Sequence, residues 1–352
     1  MTAERSDSGL LDRLVRGSLG WLEEARESFR LPPGVTTGAD SSLPLKPLGE
    51  LAELAQLIGA LHPLDEIRLT ARRLFAFAWN ETRHGELFAD LIRGEPFAIY
   101  PVELYGIFAQ AGLRHAEVDE LLRTTTRLRG WRVAREDHTR TLGVLNAERR
   151  IGLRQHADFS AVLALTGLGR LPEPWTLDRK AAYGMTHDVF HLTDWGRNRQ
   201  GLSCELAGYL RLWLPAWLEN WLEEQLWDLA GELLAATACL PNAPYDPVAW
   251  QRLADVQAAD GSIPEIGAAP TSGDPGVLFA ACYHSTLVTA FAATLARSAA
   301  DDAGTGPTGA SPALVGGRPP AKARVPLDRD GRVPRFAARG RRPGPGLARR
   351  PP

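Results

Sequence analysis

Cysteine is scarce. The three present, Cys204, Cys239 and Cys282, are odd in number and far apart, so no disulfide framework can be drawn and a reducing, cytoplasmic setting is expected. Strand signals are missing too: no stretch alternates strongly between apolar and polar residues, which excludes a sheet as the organising element. Neither common glycine-rich phosphate loop occurs, and Ser160 and Ser203 lack the setting of a nucleophile elbow. The opening MTAERSDSGLLDRLVRG is charged and amphipathic, without the apolar core or cleavage site of a secretory leader. One uncharged run, 276–296, is long enough to span a membrane. That run holds Cys282, Tyr283, His284, Ser285 and three threonines and has no long Leu/Ile/Val stretch. It therefore reads as a helix buried in protein, and no membrane span is expected.

Charge is nearly balanced over the 352 residues, at −2, but the balance hides an asymmetry. Residues 318–352 carry eleven Lys and Arg against two Asp, a local +9, which leaves −11 for the remainder. An acidic body argues against specific nucleic-acid binding. The stretch 298–352 is rich in Gly, Pro, Ala and Arg and poor in large apolar residues. Such a composition cannot offset the entropy of ordering, so a disordered basic tail is expected there.

What the chain has in quantity is helical periodicity. Leu11, Leu14, Val15, Leu19 and Leu22 recur at three and four within an N-terminal helix (1–30), followed by a Pro/Gly/Ser-rich linker (31–47). Residues 48–61 and 64–82 are strongly periodic, and shorter patterns follow at 84–93, 101–113 and 115–129. Residues 130–153 are polar and fit either a strand pair or an irregular excursion. Helical patterns resume at 158–168, 177–195, 203–240, 248–259 and 276–298. In 203–240, Leu210, Leu214, Leu218, Leu222 and Leu226 form one row and Trp213, Trp217 and Trp221 a second, a spacing that marks core. Pro215 starts or kinks a helix here. His62, His84, His115 and His138 are expected at the surface. The fold class is all-α, with one body of about twelve helices over 48–297.

The densest chemistry lies in YGMTHDVFHLTDWG (183–196). On a helix His187, His191 and Asp194 would share a face within about 60° of arc, a spacing suited to a divalent metal, zinc first, or to proton transfer. Asp188 would then orient an imidazole, or pair with His191 as acid and base. The plainer alternative is a pair of buried, hydrogen-bonded histidines with Asp194 capping the next element. The His187-Asp188 dipeptide also suggests an HD-type metal phosphohydrolase, for which His156 and Asp246 are available, though in contexts that do not match.

A second group is Cys282-Tyr283-His284-Ser285-Thr286, and a third is Gln257-x-x-Asp260-Gly261-Ser262 with Trp250 upstream. Over 250–296 these residues resemble the repeats of the terpenoid cyclase and protein prenyltransferase superfamily. The resemblance implies an α/α toroid of six inner and six outer helices around an apolar, aromatic-lined cavity. It implies that Gln257 and Asp260-Gly261 tie helices together, and that His284 is a candidate zinc ligand. The chain departs from the superfamily at Ile263, where a Trp or Phe is usual. It also lacks the Asp-x-Asp-Asp, Asp-Asp-x-x-Asp and Asp-x-Cys motifs.

Two functions follow as expectations. One is a cavity-based tailoring enzyme for an apolar, isoprenoid-like or peptide substrate, with His187, His191, Asp194, His284 and Cys204 as metal ligands, or Asp188, His191 and Asp194 as acid–base residues. The other is a noncatalytic helical scaffold that binds a peptide, lipid or partner protein.

Overall fold

Helices α7 and α9 show how the chain builds its body. Helix α7 (His138–Ile151) starts at Asp137, whose carboxylate accepts the Arg140 N–H at 2.8 Å, and α9 (Arg179–Leu192) starts at Asp178, which accepts from Ala181 at 2.8 Å. The computed structural model describes residues 2–32, 34, 35 and 42–304. Among these it is all-helical, with thirteen α-helices and short 3₁₀ turns between several of them. The others are α1 (Thr2–Glu24), α2 (Ser42–Leu61), α3 (Asp65–Glu81), α4 (Glu86–Gly94), α5 (Tyr100–Gln110), α6 (Ala116–Thr125), α8 (Phe159–Leu163), α10 (Cys204–Glu223), α11 (Trp227–Ala238), α12 (Pro247–Val256) and α13 (Pro275–Gly304). The basic tail from 305 onward, and residues 36–41 of the expected linker, lie outside the described residues.

Several boundaries differ from expectation, each for a physical reason. Helix α2 begins at Ser42, inside the expected linker; Pro44 falls in its first turn, where a missing N–H goes unnoticed, and Pro47 follows within the helix. Helix α13 continues to Gly304, past the expected end of the body at 297. The 203–240 pattern is two helices, broken where Gln225 turns left-handed (φ 55°), and Pro215 sits inside the first of them. The ambiguous 130–153 stretch is a 3₁₀ turn followed by α7. Its helical period is masked because Thr141, Asn146 and Glu148 are buried along with its leucines, so polar residues fall on more than one face. His62 is fully buried, contrary to expectation; its Nδ1 accepts the Leu64 N–H at 3.2 Å and its Nε2 lies 3.6 Å from Asp12.

The leucine and tryptophan rows of α10 are core, as their spacing predicts: Leu210, Leu214, Trp217, Leu218, Trp221 and Leu222 are buried, and Trp213 is half-buried against them. Pairwise packing runs in a closed circuit, α2 on α5, α5 on α7, α7 on α9, α9 on α11, α11 on α13, and α13 back on α2. Other helices lie against this circuit: α1 on α13, α3 on α2, α4 on α5, α8 on α7 and α10 on α11. Within α13 the stretch Pro275–Ala299 is long and apolar enough, by length and composition, to cross a membrane. Its packing against α1, α2 and α11 accounts for that composition, since Leu287, Ala290, Phe291, Ala293 and Leu295 are all buried among those helices.

The turn after α12 fastens the end of the body to its beginning. Gln257 Nε2 donates to the Leu14 carbonyl (3.2 Å), to Ser18 Oγ (3.1 Å) and to the Gly261 carbonyl (3.1 Å). Gly261 has φ 96°, and a Cβ there would collide with the Gly17 carbonyl, so only glycine permits this approach. Asp260 accepts from the Ser262 N–H and hydroxyl at 2.9 and 2.8 Å.

Candidate acid–base site

A cavity of about 1160 Å³ opens among the circuit helices. It is lined from the early turns of α2 (Lys46, Glu50), α5 (Tyr100, Glu103), α11 (Asp228, Glu232) and α13 (Tyr283, His284), and along α7 and α9. Ionisable side chains dominate its walls.

One wall comprises α2, α11 and α13. His284 Nδ1 lies 2.6 Å from Asp228 Oδ1, and its Nε2 lies 3.6 Å from Glu50. Burial alone would depress the imidazole pKa. The Glu50 and Asp228 carboxylates outweigh burial and push it up to about 10, so His284 is an imidazolium at neutral pH. The same pairing, with a 2.5 Å hydrogen bond donated by the Tyr183 hydroxyl, holds Asp228 below the usual carboxylate range against the opposing pull of burial. Glu232, one turn on in α11, accepts from the Thr186 hydroxyl and lies 3.5 Å from His187 Nδ1; burial raises its pKa.

The facing wall comprises α5, α7 and α9. Glu103 is pushed up to about 7 by burial, against the lowering effect of Arg140, whose guanidinium lies 2.7 Å away. His191 is driven well below its ordinary pKa by burial and by the cations around it, so its ring is neutral. Gly143 is what lets these two groups converge. A Cβ there would stand 2.7 Å from Glu103 Oε1 and 3.1–3.3 Å from the His191 ring. His187 Nδ1 donates to the Tyr183 carbonyl at 2.8 Å. Below, Arg150 binds Glu53 at 2.5 and 3.0 Å and Asp194 at 3.1 Å, pinning α2, α7 and the end of α9 together.

The residues expected to act together are thus partly dispersed. His187, His191 and His284 line the cavity. Asp188 does not reach it. The side chain is fully buried on the other side of α9, where it accepts the Leu168 N–H at 3.1 Å beside the Thr139 and Thr166 hydroxyls. That placement removes it from the expected pair with His191. Asp194 lies beyond the last residue of α9 in left-handed backbone (φ 48°), so it never joins the histidine face, and it is held by Arg150, Arg149 and Gln110. Cys204 is exposed at the start of α10 and takes no part. Among the described residues no group of three or more His, Cys, Asp or Glu side chains is arranged to hold a metal. His284, expected as a zinc ligand, has a carboxylate facing each ring nitrogen, Asp228 at Nδ1 and Glu50 at Nε2. Of the phosphohydrolase partners, His156 binds Glu148 at 3.0 Å and Asp246 caps α12.

Glu50, Glu103, Gly143, Asp228 and Glu232 were not legible as site residues in the sequence. One signal existed: α11 reads WDLAGELLAATA, and its only charges are Asp228 and Glu232, four residues apart in an otherwise apolar helix. Two carboxylates on one stripe of a core helix demand a polar interior. The family model for a domain of unknown function, DUF6895, matches residues 15–294. The chain belongs to that family. The DUF6895 span begins within α1 and ends within α13, so it takes in every helix that lines the cavity. No curated protein and no solved structure matches the chain.

Proposed function

We propose that the chain is an acid–base enzyme that moves a proton on a small polar substrate held in this cavity. One observation carries the reading: a single cavity keeps a carboxyl near pKa 7 beside a neutral imidazole (Glu103, His191) and faces them with a fixed imidazolium (His284). Glu103, poised near neutrality, takes and returns the proton. His284, held by Asp228 and Glu50, stabilises the negative charge that develops when the proton leaves. Tyr183 and Tyr283 are kept protonated by burial and nearby carboxylates, and remain hydrogen-bond donors.

The charged lining fits a polar substrate rather than an isoprenoid-like one. The six-helix contact circuit supports a toroid-like arrangement, with these helices as its inner ring. The test is proton exchange. The full chain is incubated in D₂O with a panel of small carbonyl and carboxylate compounds, and deuterium incorporation is followed by NMR. Exchange by the wild type that is lost in Glu103→Gln, with ligand binding kept, is the expected result. Equal exchange by both proteins would sink the assignment. Binding without exchange in the wild type would favour the noncatalytic scaffold instead.

A further inference from the structure

We infer that the chain carries a second site, a pocket for a compact phosphate-bearing ligand, formed where α6 and α7 end. This pocket has a volume of about 600 Å³ and is lined by Arg123, Arg127, Arg132 and Arg154 among its nine residues, with no Asp or Glu on its walls. Arg123 is engaged by Glu120. The side chains of Arg127, Arg132 and Arg154 have no acceptor among the described residues, although the body of the chain is strongly acidic and most of its other arginines are paired with carboxylates.

The helix ends do not account for the cluster. The C-termini of α6 and α7 carry about half a negative charge each, which one cation would balance, and the pocket holds three arginines besides the Glu120-paired Arg123. Backbone donors add to them. Gly152 turns left-handed after α7 (φ 85°), and the N–H groups of Arg154 and Gln155 that follow have no acceptor among the described residues. Guanidinium forks and free backbone N–H groups together are the donor set that phosphate oxygens accept best. A pocket of about 600 Å³ matches a small polyanion better than a nucleic-acid strand, which would need a longer basic groove.

The test is calorimetric titration of the full chain with inorganic phosphate, pyrophosphate and tripolyphosphate, and with ADP. Affinity should rise with the charge of the anion and fall with added salt. Arg127→Gln/Arg154→Gln should weaken pyrophosphate binding roughly ten-fold or more. Both positions are exposed, so the thermal midpoint should not move; should the double variant fold poorly, Arg132→Gln provides the same comparison. The arginines of 318–352 are common to every variant, so the difference isolates the pocket. ADP binding no tighter than pyrophosphate assigns the ligand to its phosphates alone, and tighter binding assigns it to a nucleotide; both support the site. Undetectable binding of all four anions, or binding that the substitutions leave unchanged, would overturn it.

Discussion

His191 and His284 line the same cavity and are held in opposite protonation states. His191 sits on α9 near Arg140 and Arg150, where burial and these positive neighbours both remove its proton. His284 sits on α13 between Asp228 and Glu50, where two carboxylates reverse the effect of burial. The same side chain thus becomes a neutral group on one wall and a fixed cation on the other. What decides is the sign of the charge on the facing helix, set by α11 for His284 and by α7 for His191. A site built this way separates its proton carrier from its electrostatic anchor.

The contrast can be broken most severely at Asp228. Replacing it with Ala leaves a partly buried imidazolium without its nearest carboxylate, and should cost roughly 3–5 kcal/mol in chemical denaturation. A loss below about 1 kcal/mol would mean that His284 is not charged. The pH dependence probes the same pair without disturbing the packing. Because the folded pKa of His284 is raised, its stabilisation is fully present below the unfolded value near 6.5 and is lost as pH rises through about 10. The unfolding free energy of the wild type should therefore fall relative to His284→Gln between pH 6 and 10, by several kcal/mol to order of magnitude. Parallel profiles for the two proteins would contradict the pairing.

On the other wall, Gly143→Ala should push Glu103 and His191 apart. A strain of about 1–3 kcal/mol and loss of proton exchange are expected. Full exchange in this variant would show that the two groups need not meet. Asp188→Ala should cost about 1–3 kcal/mol, by leaving the buried Leu168 N–H without an acceptor, while proton exchange persists. Loss of exchange in a folded Asp188→Ala protein would return that residue to the site. Cys204→Ser should change stability by less than about 0.5 kcal/mol and leave exchange intact, since the residue is exposed and outside the cavity.

The helices whose buried face is mainly apolar were readable from the chain: α1 and α10 follow their three–four rows of leucine, and α3 buries Ile67, Ala71, Leu74 and Ala78 at the same spacing. Helix α7 was not, because Thr141, Asn146 and Glu148 are buried with its leucines, and hydrophobic period carries no trace of a polar interior. The same limit applied to the site. The stretch 183–196 is dense in histidine and aspartate, but only its two histidines share a wall. Asp188 turns to the opposite face of α9, and Asp194 falls after the helix has ended. The pair that does form, His284 with Asp228, joins residues 56 apart, a proximity that only the packing of α11 on α13 creates.

The bond network at Gln257 has a consequence for how the chain is made. It joins the loop after α12 to α1 across 243 residues of sequence, and Gly261 is pressed against Gly17 to allow it. On a ribosome, α1 emerges well before α12 and α13, so the helices that cover much of its buried leucine face exist only after most of the body has been translated. Contacts of such long separation form late and slowly. Helix α1 is therefore seated fully only when α12 and α13 arrive.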